Sequence, residues 1–223
     1  MKNNLKIVLS LVVVIVFIVA IMFFKPESDA IKFKLEYESL NGQTNDSGQE
    51  YPTVSISSTN PIVYVDYDQV FDILDGGTGV IYFGFPECPW CRNMISVFLE
   101  AADEVGIESI YYLNNKDDRD TKVLEDDEVI TEKEGTSNYN ELLEKLGEYA
   151  SVYEGLNDES IKRLYFPTVI FVKDGEIIEY IEGTVDSQDD PYTALTDEQK
   201  EELKEKYIAA FQSLTTCDLD SKC

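Results

Sequence analysis

The stretch Phe85-Pro86-Glu87-Cys88-Pro89-Trp90-Cys91-Arg92, set just after the apolar run Val80-Ile81-Tyr82-Phe83, constrains this chain more than any other. Gly79 to Phe83 is continuously apolar rather than alternating, the pattern of a strand covered on both faces. Pro89 suits the first turn of a helix, where its missing N–H costs nothing. Met94, Val97, Phe98 and Ala101 then recur at helical spacing. A central strand therefore runs into a helix whose mouth carries two cysteines, with Cys88 before the helix and Cys91 one turn inside it.

Two thiols at that spacing can close a short disulfide and reopen it. The positive end of the helix stabilises a thiolate at Cys88, below the free thiol pKa of about 8.5. In that chemistry Cys88 attacks a substrate disulfide and Cys91 resolves the mixed disulfide; the reverse steps oxidise a dithiol. Pro89 stiffens the loop and Trp90 offers an apolar surface to a peptide. Glu87 disfavours the thiolate by its charge, and Arg92 favours it if it folds back. Two other readings of the pair are half of a four-cysteine zinc site and a purely structural disulfide. Neither fits well: the other two cysteines, Cys217 and Cys223, have five residues between them, the chain has no histidine, and so short a loop stabilises little. No metal and no cofactor is expected.

Residues 7–24 carry no charge and only Ser10 interrupts their apolar character. At about 1.5 Å per residue they span roughly 27 Å, close to a bilayer core. Lys2 and Lys6 ahead of the run favour a cytoplasmic N-terminus, so the expectation is a single-pass anchor in the cell membrane with the remainder extracytoplasmic. The alternatives are a signal cleaved near Ser28-Asp29-Ala30, giving a secreted protein, and a cytosolic chain. All 44 acidic residues follow Lys25, leaving the rest of the chain at a formal charge of −29. That field repels nucleic acid and is compatible with basic peptides or with a simply hydrated acidic surface.

The expected organisation is a cytoplasmic tip and anchor over 1–25, a stalk or linker over 26–53, a folded domain over 54–216 and a cysteine-containing tail over 217–223. Ile31, Phe33, Leu35 and Tyr37 alternate with charged residues, which reads as a short strand or stiff stalk, and 41–49 is a polar loop. Ile62 to Val65, Gly79 to Phe83 and Ile107 to Tyr112 are predicted strands, with a short helix near 67–74. Residues 114–157 read as an acidic, mostly helical insertion, in which Leu142, Leu143, Leu146, Tyr149, Ala150 and Tyr153 line one face. A further helical piece runs from about Asp158 to before Pro167. Thr168 to Val172 and Glu176 to Ile181 form a hairpin about Lys173-Asp174-Gly175. Thr196 and Gln199 open the last helix as a capping box. The order β-α-β-α-β, insertion, β-β-α gives an α/β fold with a mixed central sheet flanked by helices.

With Cys88-Pro89-Trp90-Cys91 after a central strand and Phe166-Pro167-Thr168 opening a later one, residues 61–214 resemble the thioredoxin superfamily. The resemblance implies a thioredoxin-like fold with a helical insertion before the cis-proline strand. It also implies a cis Pro167 beside the cysteines, and a Phe166 whose backbone and side chain meet an extended substrate. More narrowly, Tyr82 to Arg92 together with the apolar N-terminus is similar to the bacteriocin transport accessory proteins of Gram-positive bacteria. Tyr82 stands where thioredoxin has a buried aspartate, Pro-Trp replaces its Gly-Pro, and the 76 positions from Cys91 to Pro167 exceed its spacing. The insertion that accounts for this either caps the active-site side or enlarges the helical layer.

Cys217 and Cys223 are a candidate second disulfide; a relay pair for Cys88–Cys91, free thiols and intermolecular bonds are the alternatives. The expected activity is thiol–disulfide oxidoreduction on protein or peptide disulfides, completed by an unidentified redox partner. The competing expectation is a non-catalytic accessory protein that binds a secreted cationic peptide, with acidic metal-ion binding behind both.

Overall fold

A computed structural model describes residues 27–215. The helices are α1 (Asp29–Glu38), α2 (Tyr67–Gly76), α3 (Pro89–Val105), α4 (Ser137–Leu146) and α5 (Asp197–Thr215). The main sheet is built from β1 (Ile62–Tyr64), β2 (Gly79–Phe83), β3 (Ile110–Leu113), β8 (Thr168–Lys173) and β9 (Glu176–Glu182). Between β3 and β8 lie β4 (Thr121–Glu125), β5 (Glu128–Lys133), β6 (Ser151–Val152) and β7 (Lys162–Arg163).

The main sheet has the order β1-β3-β2-β8-β9. β3 runs parallel to both β1 and β2, whereas β8 is antiparallel to β2 and to β9. The sheet is therefore mixed, and β2 sits at its centre. Alternate residues of its strands serve two cores. Val80, Tyr82, Val169 and Phe171 face α1, α3 and α5, while Ile81, Phe83, Ile170 and Val172 face α2 and α4. Burial on both faces is the reason β2 has no polar alternation.

Local chemistry sets the element ends. Asp66 and Gln69 form a reciprocal capping box on α2, and Thr196 and Gln199 do so ahead of α5. Gly106 ends α3 at φ 80°, in the left-handed region. Asp174 and Gly175 both take positive φ in the β8–β9 turn, as the Asp-Gly pair predicts.

Three expectations are corrected. The described part of the supposed stalk, 27–53, is structured: Ser28 caps α1, and Phe33 and Tyr37 are fully buried on the first core. The alternation over 31–37 misleads because Phe33 and Tyr37, four apart, share one helical face, whereas Ile31 and Leu35 are exposed. The insertion is only partly helical. Glu125-Asp126-Asp127-Glu128, an acid run that reads as helix, is the turn of a β4–β5 hairpin, with Asp126 and Asp127 at φ 47° and 64°. Aspartate tolerates that region better than most residues. Helix α4 stops at Leu146 because Gly147 turns at φ 51°, so Tyr149, Ala150 and Tyr153 lie beyond it. Past Asp158 there is a turn and the short strand β7, not a helix.

The anchor expected over 7–24 lies outside the described residues, as do Cys217 and Cys223. Among the described residues no helix is long and apolar enough to cross a membrane. The single-pass topology, and the membrane partner and location that depended on it, are accordingly withdrawn.

Arg92 ties the N-terminal segment to the sheet. Only 2% exposed, it donates from Nε to Pro52 O (2.7 Å) and from Nη1 to Tyr37 O (2.7 Å) and Pro86 O (3.2 Å). Its Nη2 donates to Asn41 Oδ1 at 2.7 Å. Truncation strands several acceptors, each worth about 1–3 kcal/mol when left buried and unpaired. Arg92→Met is expected to lower unfolding free energy by at least about 3 kcal/mol. It should also expose the 39–53 loop to limited proteolysis, and urea melts with protease mapping check both.

Candidate functional site

The β2–β8 register creates the site. Phe83 pairs with Thr168, so the chain leaving β2 and the chain entering β8 emerge at the same edge of the sheet. Cys88 follows one and Phe166-Pro167 precedes the other. The Phe166–Pro167 bond is cis, the isomer implied by the resemblance.

Cys88 is the N-cap of α3, with Pro89 in its first turn. Both Cys88 and Cys91 are free thiols, 5% and 0% exposed. The Cys88 Sγ accepts the Cys91 backbone N–H at 3.3 Å and lies 3.7 Å from Phe166 O as a donor. Burial opposes a thiolate at Cys88. Hydrogen bonds from the Cys91 side chain and from the Cys91 and Trp90 backbone, with the charge of Arg119, outweigh it and lower the Cys88 pKa. Cys91 goes the other way. Burial, its hydrogen bond with Cys88 and the Cys88 charge push it well above an ordinary thiol, against smaller pulls from the Phe85 backbone and the Tyr82 hydroxyl. The two sulfurs are thus set apart: the Cys88 pKa is lowered and the Cys91 pKa is raised.

Trp90 is half-buried and borders a hollow together with Phe166. The Phe166 ring meets Phe85 edge-on at 5.2 Å and carries the Arg119 guanidinium over its face at 4.3 Å. Glu87 pairs with Lys116 at 3.1 Å, which offsets its charge beside Cys88. Arg92 does not act on the thiolate; its guanidinium is spent on the carbonyls of the N-terminal segment and on Asn41. Arg119 is the cation that matters to Cys88. It could have been found as the lone base in Asp117-Asp118-Arg119-Asp120. Among the described residues no group of three or more His, Cys, Asp or Glu side chains is arranged to hold a metal.

Tyr82 is fully buried, and its hydroxyl lies 2.8 Å from that of Tyr37. Its ring stacks on Tyr112 at 5.3 Å and meets Phe98 at 5.9 Å. Phe98 follows Cys91 by two helical turns, on the same face of α3. The hydroxyl folds back against Gly84, where any Cβ would collide with it. Tyrosine thus occupies the ground behind the buried thiol with neutral hydroxyls. One more, on Tyr207, is buried there without a hydrogen-bond partner among the described residues. Tyr37 was missed at the sequence level because its segment reads as a stalk.

No family model matches the chain, and no curated protein matches it significantly. Among solved structures the chain is similar to the J-Trx1 fragment of ERdj5, at 15% identity, covering 84% of this chain and 71% of that one, with a TM-score of 0.35. So distant a likeness assigns no family, and nothing found supports the narrower bacteriocin-accessory resemblance.

The Tyr37–Tyr82 pair makes a double-mutant cycle informative. Tyr82→Phe or Tyr37→Phe each leaves a buried hydroxyl without its partner and is expected to cost about 1–3 kcal/mol. The double variant should cost less than the sum, because no orphan from the pair remains. Tyr82→Phe should further push Cys91 alkylation to higher pH, which Tyr37→Phe should do less. Urea unfolding and mass-resolved alkylation against pH check these outcomes.

Proposed function

We propose that this chain is a thioredoxin-like thiol–disulfide oxidoreductase acting on protein or peptide disulfides. The observation that carries the reading is the opposed setting of two adjacent free thiols. Cys88 sits at a helix N-terminus with its pKa lowered, while Cys91 is fully buried with its pKa raised. A structural pair has no need of that asymmetry.

In the reductive direction the Cys88 thiolate attacks one sulfur of a substrate disulfide. The substrate S–S bond breaks, and the departing sulfur leaves with the electron pair and takes a proton. A Cys88–substrate mixed disulfide remains. Cys91 then loses its proton and attacks the Cys88 sulfur, displacing the second substrate thiolate and closing the Cys88–Cys91 disulfide. The substrate has gained two electrons and two protons, and the protein has lost them. The reverse sequence oxidises a substrate dithiol. Return to the starting state requires a thiol or disulfide partner of suitable potential.

The raised pKa of Cys91 orders these steps. While Cys91 is protonated, it does not compete with Cys88 for the incoming disulfide. Once the mixed disulfide forms, the Cys88 negative charge disappears, and with it one cause that held the Cys91 proton in place.

The expected behaviour follows from these two thiols. Cys88→Ser abolishes reduction of hydroxyethyl disulfide, and Cys91→Ser traps a mixed disulfide on Cys88. A lowered pKa leaves more thiolate at neutral pH, so Cys88 alkylation should reach half its maximum below the free-thiol pKa of about 8.5. Arg119→Gln, which removes a favourable positive charge, should move that midpoint upward and slow alkylation several-fold at neutral pH. Retained turnover in Cys88→Ser, or an ordinary titration of Cys88, would sink the reading. Stopped-flow alkylation and intact-mass counting of thiols provide the measurement.

A further inference from the structure

A hollow of about 400 Å³ opens beside the nucleophile. Trp90, Tyr165 and Phe166 contribute aromatic walls, and Glu154, Glu182 and Asp186 contribute carboxylates. The same Phe166 offers its carbonyl to the Cys88 Sγ at 3.7 Å, so one residue borders both the hollow and the sulfur.

Among the described residues none of these three carboxylates forms an ion pair. Arg163 is engaged elsewhere, over the Tyr153 ring at 4.2 Å and beside Asp120 at 3.7 Å. Glu182 is only partly exposed. Its two carboxylate oxygens accept from the Ser151 hydroxyl at 3.0 and 3.1 Å, which fixes the group without neutralising it. Burial first, and then the charge of Glu154, raise its pKa despite that bond. Carboxylates beside aromatic faces, partly shielded from water, suit an ammonium or guanidinium group through charge and cation–π attraction.

We propose that this hollow is a substrate subsite for a lysine or arginine side chain lying close in sequence to the reactive cysteine of an extended peptide. The proposal rests on the oxidoreductase reading for the identity of its ligand, and it adds the class of substrate. Aromatic walls take the aliphatic stem of the side chain while Glu154 and Glu182 take its charged end. The same arrangement disfavours a substrate with an acidic residue at that position, so selection is by repulsion as well as by attraction.

Two measurements on the full-length chain keep this inference separable from the activity on which it rests. In the first, reduced protein meets two peptides, each disulfide-bonded to 2-mercaptoethanol and differing only in Lys or Glu beside the cysteine. Uncharged hydroxyethyl disulfide serves as the reference. The expected result is a preference for the Lys peptide of about tenfold, weakening at high salt. Glu154→Gln/Glu182→Gln should collapse the preference and leave hydroxyethyl disulfide reduction unchanged. Equal rates for both peptides alongside normal reduction of the reference overturn the subsite and spare the oxidoreductase reading.

The second measurement needs no turnover. Trp90 is the only tryptophan of the chain and borders the hollow, so its fluorescence reports occupancy by cysteine-free analogues of the same peptides. A saturable change with the Lys analogue, absent with the Glu analogue and lost in the double Gln variant, supports the subsite even if hydroxyethyl disulfide is not reduced. The same change with both analogues, or with neither, overturns it.

Discussion

Five residue pairs join β2 to β8, from Gly79–Val172 to Phe83–Thr168, and everything at the site depends on their register. A slip of one residue would turn Tyr82 and Phe83 to the wrong cores, so burial on both faces holds the pairing in place. With the register fixed, the loop after Phe83 and the segment before Thr168 must leave the sheet side by side. Cys88 and Phe166 are separated by 78 positions in the chain, yet their meeting follows from pairing two apolar strands.

Electrostatics then sets two identical side chains apart. Both thiols are buried, and burial alone raises a thiol pKa. At Cys88 the helix N-terminus, its own neighbours and Arg119 overcome that cost; at Cys91 nothing comparable does. The tyrosines behind Cys91 sharpen the contrast. A carboxylate in the place of Tyr82 would introduce a second titrating group beside the thiol. The hydroxyls of Tyr82 and Tyr37 instead offer dipoles that stay neutral, since burial drives their own pKa values upward. Cys91 is therefore governed by burial and by the state of Cys88.

The α/β order, the central strand, the helix that carries the cysteines and the final hairpin were legible because each has a local cause. Those causes are continuous burial in Gly79–Phe83, Pro89 at a helix start, Asp174-Gly175 at a turn and the Thr196–Gln199 box. Misreadings arose where two periods compete over few residues. Phe33, Leu35 and Tyr37 satisfy alternation as strings of letters, but only tertiary contact decides that Phe33 and Tyr37 belong together and Leu35 does not. The acid run 125–128 fails for another reason: two consecutive left-handed aspartates make a turn that net charge conceals. Arg92 marks the limit for single side chains. Its place next to Cys91 suggests a partner for the thiolate, yet its hydrogen bonds run to Tyr37, Asn41, Pro52 and Pro86, which no spacing rule connects.

The insertion was expected either to cap the active-site side or to enlarge a helical layer, and its one α-helix packs in the helical layer. Tyr139, Leu142 and Leu146 of α4 join the second core and extend the layer beneath the sheet. The flanking residues supply charge at the site. Arg119, before β4, stacks on Phe166 and favours the Cys88 thiolate, and Glu154, just past β6, borders the hollow beside Trp90. Arg119 donates to Leu164 O at 3.2 Å, and Arg163 donates to Asp120 O at 3.0 Å, so the insertion is stitched to the segment leading into Pro167 from both sides. A positive group thereby faces the sulfur from one wall while negative groups wait along another, within a chain of strongly acidic composition. On the subsite proposed above, that separation lets one small cleft stabilise its own thiolate and still take a cationic side chain. The acidic surface alone explains neither effect, because a uniform negative field would draw cations everywhere and oppose the thiolate as well.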